Sequence, residues 1–541
     1  MRSLLRIRTQ RLSFALLAIS AIACGSTPAA APPPQLAVLP PTPSPSASAS
    51  PAPPDLAPPD KLLADAPVDT PEAAIKAFRA YRSDRPETET RTRDAARFVA
   101  RTHLLAARGP LLDVFLSLRV STLKRVTELY RDVGDAMLAV PDPAWIPQLT
   151  ERLTHPIVDR NNVPALRDEI FWQSLAAQIL GDLQASTAVR PLISIVLSPA
   201  KIDIARTAVN SLIKIGKPAV APAIALLRSE DAELVAYSTG ESLRSANPQG
   251  HGTTSAQALA EKAHVAAAAL ILGAIGREEC APALIDALAK SDSISRPALA
   301  RQLVELPRTP ALEKAFQVAF EKVPLTQTLP PWTGASEALL DASASFFDPA
   351  LVPWMVKSAL ALKGESDDIV PVQEAALQTV LKLMRRDQAA QVAKLLRVKT
   401  LDSDSHATTL EKVYAKELSL ARGVLDACKD DVDCYVGKLV DPASQAESTQ
   451  FQGIKAAYMV GALGGPETRQ KLLDSLPKIT NAAIRYLVGL ALDHLSPRGD
   501  MALAASLQAI VDSAVAAGDQ QQIIRNAPFK TVIYRLRART P

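Results

Sequence analysis

The sequence is poor in glycine and in aromatic residues, with 21 glycines among 541 residues and 4% Phe, Trp and Tyr. Alternating apolar and polar stretches of strand length are also scarce after about Lys61, where Ala and Leu dominate. Strands favour β-branched and aromatic residues in such an alternation. The composition therefore argues against a sheet-based core and predicts an all-α fold.

The sequence also lacks the short motifs that mark common enzyme classes: H-E-x-x-H, G-x-S-x-G, G-x-G-x-x-G, C-x-x-C and the Walker loop. Four S-x-x-K sequences occur without the S-D-N and K-T-G partners of penicillin-recognising enzymes, at Ser121, Ser198, Ser211 and Ser475. The six histidines are scattered, and no two stand four residues apart as a helical metal site requires. We therefore predict no catalytic residue, no metal site and no cofactor.

An excess of positive charge is missing too, because 60 Lys and Arg face 56 Asp and Glu. Four of the arginines lie within residues 1–23, which contain no acid, so the rest of the chain has no net formal charge. Nucleic-acid binders need a basic footprint to displace counterions from phosphates. Nucleic acid is therefore not expected as a partner.

The first 24 residues have the pattern of a targeting signal. Four arginines precede a mainly apolar stretch from Leu12 to Ala23, which is too short to span a bilayer core of about 30 Å and ends in small residues before Cys24. This arrangement resembles the signal peptide and lipobox of bacterial lipoproteins. The resemblance implies that residues 1–23 are removed, that Cys24 is lipidated and, from Gly25, that the lipid sits in an outer membrane. An uncleaved membrane helix, or a secretory signal with an incidental cysteine, is the alternative.

Residues 24–60 are rich in Pro, Ala and Ser and have no charged residue before Asp55. Such a segment cannot bury enough apolar surface to offset the entropy of ordering it. We expect a disordered linker that, at about 3.1 Å per residue when extended, reaches up to roughly 100 Å from the membrane.

Four segments align on a proline and share apolar residues two positions before and two after it; the prolines are Pro191, Pro222, Pro282 and Pro353. Proline in a first helical turn removes only an amide without an intrahelical partner. Each segment is thus predicted to begin a helix. A second, more apolar helix follows in the pattern, and these second helices are predicted at 170–183, 204–216, 264–276, 371–384, 453–465 and 483–495.

These paired helices, with a proline early in the first and glycine closing many of the second, resemble short bacterial HEAT repeats. The resemblance covers about residues 141–541 and implies a right-handed α-solenoid of eight to ten stacked antiparallel helix pairs. A single pair cannot cover its own apolar faces, so neighbouring pairs share a core. Residues 61–140 are predicted to form a helical N-terminal cap, which starts at Thr70-Pro71-Glu72, an N-cap followed by proline and an acid.

A polar segment at 245–260 interrupts the helical rhythm with Asn-Pro, two glycines and small polar residues. Loops inserted in repeats often carry binding residues, although many are merely tolerated length. Asn247, His251 and Thr253 are the candidate binding residues of this loop.

Three cysteines remain after Cys24. Cys428 and Cys434 are predicted to form a disulfide, as is common outside the cytoplasm. In an unbroken helix residues six apart lie about 9 Å apart by rise alone, beyond the roughly 7 Å limit for bridged Cα atoms, so a helix must end between them. The alternative is that Asp430, Asp431 and Asp433 bind a cation. Cys280 lies in an apolar column and is predicted to be buried in the core.

The function predicted from these patterns is that of a non-catalytic interaction scaffold, anchored in the cell envelope and binding a protein partner. It would face the periplasm, with exposure at the cell surface as the alternative. A second hypothesis is an enzyme or enzyme subunit, because HEAT-like repeats occur in bilin lyases. A third is a glycan-binding solenoid with exposed aromatic platforms. The tryptophans are predicted to be core residues instead, namely Trp145, Trp172, Trp332 and Trp354.

Overall fold

The computed structural model describes residues 67–119, 128–157, 159–245, 256–292, 294–303, 305–306, 309–321, 335–362, 369–401, 406–497 and 499–538. Within these ranges the chain forms 26 α-helices, short 3₁₀ turns and one two-stranded sheet. The prediction of an all-α fold is confirmed at the level of secondary structure.

The chain divides into two compact units, and each is described separately. The N-terminal unit comprises Met1–Asp142 and Asn162–Phe171, and the C-terminal unit comprises Pro143–Asn161 and Trp172–Pro541. The first helices in chain order are α1 (Pro71–Ala80), α2 (Glu89–Thr102), α3 (Arg108–Ser117), α4 (Leu129–Ala139), α5 (Ile146–Thr154) and α6 (Val163–Asp182), the last of which contains the division after Phe171.

All later elements belong to the C-terminal unit. They begin with α7 (Val189–Leu197), α8 (Ile202–Ile215), α9 (Lys217–Leu227), α10 (Ala232–Ser245), α11 (Ala256–Ile275), α12 (Cys280–Lys290), α13 (Arg296–Leu303), α14 (Pro310–Glu321), α15 (Ala335–Ser343), α16 (Val352–Ala361), α17 (Ile369–Leu383) and α18 (Ala389–Leu396). They end with α19 (Leu410–Cys428), α20 (Val432–Val440), α21 (Pro442–Gln445), α22 (Phe451–Leu463), α23 (Thr468–Ser475), α24 (Ala482–Leu495), α25 (Met501–Ala516) and α26 (Gln520–Ala538).

The predicted start of the first helix is confirmed. Thr70 has extended backbone angles, and its side chain accepts a hydrogen bond from the Ala73 amide at 3.2 Å. Pro71 is the first helical residue, and Glu72 places a negative charge in the first turn, where the helix dipole favours it.

The proline alignment is confirmed at three of four positions. Pro191, Pro282 and Pro353 lie in the first turns of α7, α12 and α16. The prediction is wrong for Pro222, which is the sixth residue of α9. That helix begins earlier, at Lys217, because Gly216 has a positive φ of 71° and interrupts the preceding helix. Pro218, and not Pro222, is the proline in its first turn.

The six predicted second helices are all present, as α6, α8, α11, α17, α22 and α24. Helix α11 extends further towards the N-terminus than its uncharged run, over Ala256–Ile275. By length and composition it is the one described helix that could cross a membrane. More than half of it is nevertheless buried against other helices, which is equally typical of a core helix.

The two short strands were not predicted. Strand β1 (Lys399–Leu401) pairs antiparallel with β2 (Ala407–Thr409), with Thr400 opposite Thr408. Threonines favour strands, but three residues are too few to produce a recognisable alternation in the sequence.

In the N-terminal unit the helices pack as two neighbouring pairs. Helix α1 contacts α2 and α3, and α4 contacts α2 and α3. Its aromatic core includes Phe171, whose ring meets those of Phe115 and Tyr130 edge-on with centroids 5.7 and 5.6 Å apart.

In the C-terminal unit the second helices contact one another in series. Helix α8 contacts α11, and the series continues through α13, α15, α17, α22 and α24 to α26. The last helix, α26, also packs on α8 and α11. The series of helices within this unit therefore returns to its own beginning, which the sequence did not indicate.

Candidate functional site

A group of polar side chains lies where four helices of the C-terminal unit meet, and we call it the Lys382 cluster. Its members are Asp341 of α15, Glu374, Gln378 and Lys382 of α17, Tyr414 of α19 and Tyr458 of α22. The three residues of α17 are four positions apart, so they share one stripe of the helix. Helices α15, α19 and α22 all pack on α17, which brings their polar residues to this stripe.

An ion pair is the most exposed part of the cluster. Lys382 Nζ lies 3.5 Å from Asp341 Oδ1, and their side chains are 23% and 74% exposed. Burial alone lowers the pKa of Lys382, but the Tyr458 phenol and the Asp341 carboxylate outweigh it and the net pKa is raised. The amine is therefore a cation at neutral pH and not a nucleophile.

Tyr458 is buried beside this pair. Burial and the Asp341 charge raise the pKa of its phenol, which Lys382 partly opposes, so the phenol stays neutral. Its ring lies 5.3 Å from that of Phe347, whose other neighbour is the His494 ring at 5.1 Å. Phe347 has a left-handed backbone (φ 52°), which is unusual for a bulky residue and is tolerated where surrounding packing fixes it.

Glycine makes room for that phenylalanine. A Cβ atom at Gly461 of α22 would overlap the Phe347 ring, so only glycine fits there. A larger residue at Gly461 would displace Phe347 and, with it, the Tyr458 ring that packs beside it.

Tyr414 forms the second half of the cluster. Its hydroxyl donates to Glu374 and accepts from Gln378 Nε2 at 2.6 Å. Tyr414 also has non-helical backbone angles (φ −109°, ψ 16°) inside α19. The tyrosine is buried at a kink, and its hydrogen bonds tie α19 to α17.

Lys455 lies beneath the cluster and is completely buried. Its Nζ donates to the carbonyls of Lys382 at 2.9 Å and Met384 at 2.5 Å, at the end of α17. Burial lowers the pKa of this amine well below its usual value. A lysine with a depressed pKa is a candidate nucleophile, but this one is closed to solvent and satisfies carbonyls left over at a helix C-terminus.

The Lys382 cluster combines charged and neutral polar side chains. It presents a cation and an anion side by side, backed by neutral phenols and amides.

A hydroxyl–imidazole contact occurs elsewhere in the unit, between Ser229 Oγ and His264 Nε2 at 2.9 Å. Burial, and secondarily the charge of Lys262, lower the pKa of His264, so its ring is neutral at pH 7. Acyl transfer would also need donors for an oxyanion. The backbone amides of Ser229 and Glu230 are both used to cap α9, bonding Leu226 and Ala225 carbonyls at 3.0 and 2.8 Å.

The structure brings one predicted pair of site residues together. Cys428 ends α19 and Cys434 lies in the first turn of α20; they are joined as a disulfide with Cα atoms 5.3 Å apart. The predicted helix end between them is confirmed. Cys24 and the candidate loop residues Asn247, His251 and Thr253 lie outside the described residues.

Two of the three acidic residues near this disulfide, Asp431 and Asp433, have structural partners. Asp431 caps α20 by accepting from the amides of Asp433 and Cys434 at 2.9 and 3.2 Å. Asp433 pairs with Lys471. In the described part of the chain, no three His, Cys, Asp or Glu side chains converge as they would around a metal ion.

The remaining motif residues also have local roles. The hydroxyls of Ser198, Ser211 and Ser475 bond to Glu241, to the Ala177 carbonyl and to the Lys471 carbonyl, and none to the lysine of its motif. Ser121 lies outside the described residues. Cys280 is fully buried, as predicted.

Two tryptophans are buried, as predicted for core residues. Trp145 and Trp172 are 2% and 5% exposed, and the Arg152 guanidinium lies 4.2 Å from the Trp172 ring. Trp354 is half-buried against Phe320, and Trp332 lies outside the described residues. The two buried rings cannot act as platforms for a sugar.

Sequence reasoning missed the Lys382 cluster. The available signal was the spacing of Glu374, Gln378 and Lys382 along an otherwise apolar helix. Their partners come from three other helices, and nothing local identifies those helices. No known protein-family model matches this sequence, and no curated protein is detectably similar to it.

Proposed function

We propose that this chain is a lipid-anchored envelope protein that acts as a non-catalytic scaffold for a protein partner. In this proposal the lipid is on Cys24, residues 24–60 are the linker, residues 61–140 are the helical cap and residues 141–541 are a right-handed solenoid of HEAT-like pairs. The anchor lies in the outer membrane, and the folded part faces the periplasm.

The observation that carries the proposal is the pattern of helix contacts in the C-terminal unit. Second helices contact second helices from α11 to α26. First helices likewise contact first helices: α9 contacts α12, and α12 contacts α14. Two parallel rows of this kind are what stacked helical pairs produce. Because α26 returns to α8, the second-helix row is continuous, and we propose it as the supporting frame of the binding surface.

The Lys382 cluster is the proposed contact point on that row. It lies on consecutive members, α15, α17 and α22, and its accessible part is the charge pair, with Lys382 23% and Asp341 74% exposed. Interfaces gain specificity from complementary charges.

The anchor and the binding surface are tested separately in cells. Cys24→Ser should release the protein from washed membranes, with a signal-bearing wild type as the control. Continued membrane retention would show that a lipid on Cys24 is not the sole attachment.

For the surface, proteins cross-linked to Lys382→Glu are compared with those cross-linked to wild type in intact envelopes. The matched control is Arg386→Glu, because Arg386 and Asp426 form a similar pair at 2.8 Å with both side chains more than half exposed. The proposal expects Lys382→Glu to lose a cross-linked protein that Arg386→Glu keeps. Equal patterns for all three proteins would contradict a contact at the cluster.

A further inference from the structure

The N-terminal unit contains a cleft of about 370 Å³ between the end of α1 and one face of α3. Helix α3 contributes Pro110, Asp113, Val114 and Ser117, which are spaced three, four and seven positions apart and so form a single stripe. The other wall is made by the last turn of α1 and the extended residues after it.

The floor of this cleft is apolar. Phe78, Tyr81 and Val114 line it and are 2%, 4% and 1% exposed. Burial, supported by the Glu89 charge and opposed by Arg119, raises the pKa of Tyr81, so its phenol is neutral. The base of the cleft is therefore closed by packed side chains, and its accessible surface belongs to the polar residues of the rim.

Charged groups of both signs surround this floor. Arg79, Asp84 and Asp113 line the cleft, and within the described residues none of their side chains has a hydrogen bond or ion pair. Arg82, which also lines the cleft, donates to the Tyr81 carbonyl at 2.7 Å and the Arg79 carbonyl at 3.0 Å. The cleft therefore contains a guanidinium and two carboxylates that are free to bind a ligand.

We propose that this cleft binds a small zwitterionic peptide, with the Arg79 guanidinium on its carboxylate and Asp84 and Asp113 around its ammonium group. Guanidinium matches carboxylate geometry with two parallel hydrogen bonds. The volume lies at the lower end of ligand pockets, which suits a dipeptide and excludes a folded partner. The inference does not depend on the scaffold function.

The test is calorimetric titration of the full-length protein in detergent with three probes. These are alanyl-leucine, its N-acetyl derivative and its C-terminal amide. The intact dipeptide should bind, and each blocked form should bind about tenfold more weakly, because each lacks one charge-assisted contact.

Variants identify which protein group meets which end. Arg79→Gln should weaken binding of the intact dipeptide about tenfold and leave binding of the C-terminal amide unchanged. The double variant Asp84→Asn, Asp113→Asn should also weaken binding of the intact dipeptide about tenfold, but it should leave binding of the N-acetyl derivative unchanged. Arg101→Gln, an exposed arginine of α2, is the charge-matched control and should keep wild-type affinity. Each variant must unfold at the same temperature as the wild type. We expect this result because the substituted side chains are exposed.

Three outcomes would overturn the proposal. One is that alanyl-leucine does not bind at millimolar concentration. Another is that the blocked forms bind as well as the intact dipeptide. The third is that Arg79→Gln and Arg101→Gln have the same affinity.

Discussion

Two regions of the C-terminal unit use arginine in opposite environments. Near its start, Arg190 of α7 pairs with Asp231 and Glu233 at 2.5 and 2.6 Å, and its side chain is 47% exposed. Near its end, Arg485 of α24 is 2% exposed and donates to Asn526 Oδ1 through Nε and Nη2 at 3.0 and 2.6 Å. Both arginines tie neighbouring helices together.

The two arginines make similar contacts, but we expect the free energy of unfolding to depend much more on the buried one. Water solvates Arg190 when its partners are removed, so little is lost. Arg485 has no access to water, and burial and the Arg525 charge already lower its pKa. Replacing Asn526 leaves Nε and Nη2 of the buried cation without that acceptor, while Nη1 still donates to the Leu476 carbonyl and, at 3.0 Å, to the Ile479 carbonyl. The contact between α24 and α26 is therefore expected to contribute more to stability than the contact of Arg190. Helix α26 is also the helix that packs on α8.

The largest expected effect is at Asn526. Asn526→Leu should lower the free energy of unfolding by about 3 kcal/mol, because two hydrogen bonds to a buried guanidinium are lost. Urea unfolding followed by circular dichroism measures this. Adding Arg485→Met should recover part of the loss by removing the stranded cation. If the double variant is less stable than the single one, the contact is not the cause.

A covalent tie gives the next largest effect. The disulfide between Cys428 and Cys434 closes a short loop between α19 and α20, so reducing it should lower the free energy of unfolding by about 2 kcal/mol at most. Urea unfolding with and without reductant tests this, with the Cys428→Ser, Cys434→Ser double variant as control. A reductant effect that persists in the double variant would arise elsewhere.

A smaller, pH-dependent effect is expected at His264. Its folded pKa is depressed by burial, so the unfolded chain binds a proton first as the pH falls below about 6.5. Stability should therefore decrease on acidification through that range, by at most about 1.4 kcal/mol per pH unit. His264→Gln should flatten this dependence. Identical slopes for wild type and His264→Gln would contradict the assignment.

The smallest effect is expected at the exposed pair. Arg190→Ala should cost about 0.5 kcal/mol, and the difference from wild type should shrink in 1 M salt, where charges are screened within about 3 Å. Urea unfolding at low and high salt measures it. A loss as large as that of Asn526→Leu would remove the contrast between the two regions.

Local features of the fold could be predicted from sequence because their causes are local. The Thr70 cap and the helix end between Cys428 and Cys434 follow from spacing over a few residues. Pro222 shows the limit of that approach. Its apolar neighbours matched the other prolines, but Gly216 and Pro218 had already begun the helix.

Long-range features could not be predicted in this way. The return of α26 to α8 joins segments some three hundred residues apart, and no residue in either helix signals the other. The same holds for the Lys382 cluster, in which α17 supplies a visible stripe but Asp341, Tyr414 and Tyr458 come from separate helices. Apolar periodicity identifies the face that is buried but not the helix that buries it.

The most direct test of the account is a charge swap at the cluster, with Asp341→Lys and Lys382→Asp combined. The swap preserves an ion pair within the protein but reverses the charges that a partner meets. The account predicts a wild-type unfolding temperature together with loss of the protein that cross-links to wild type in intact envelopes. If the swapped protein keeps that cross-link, the pair serves the fold alone and the proposed binding surface is contradicted.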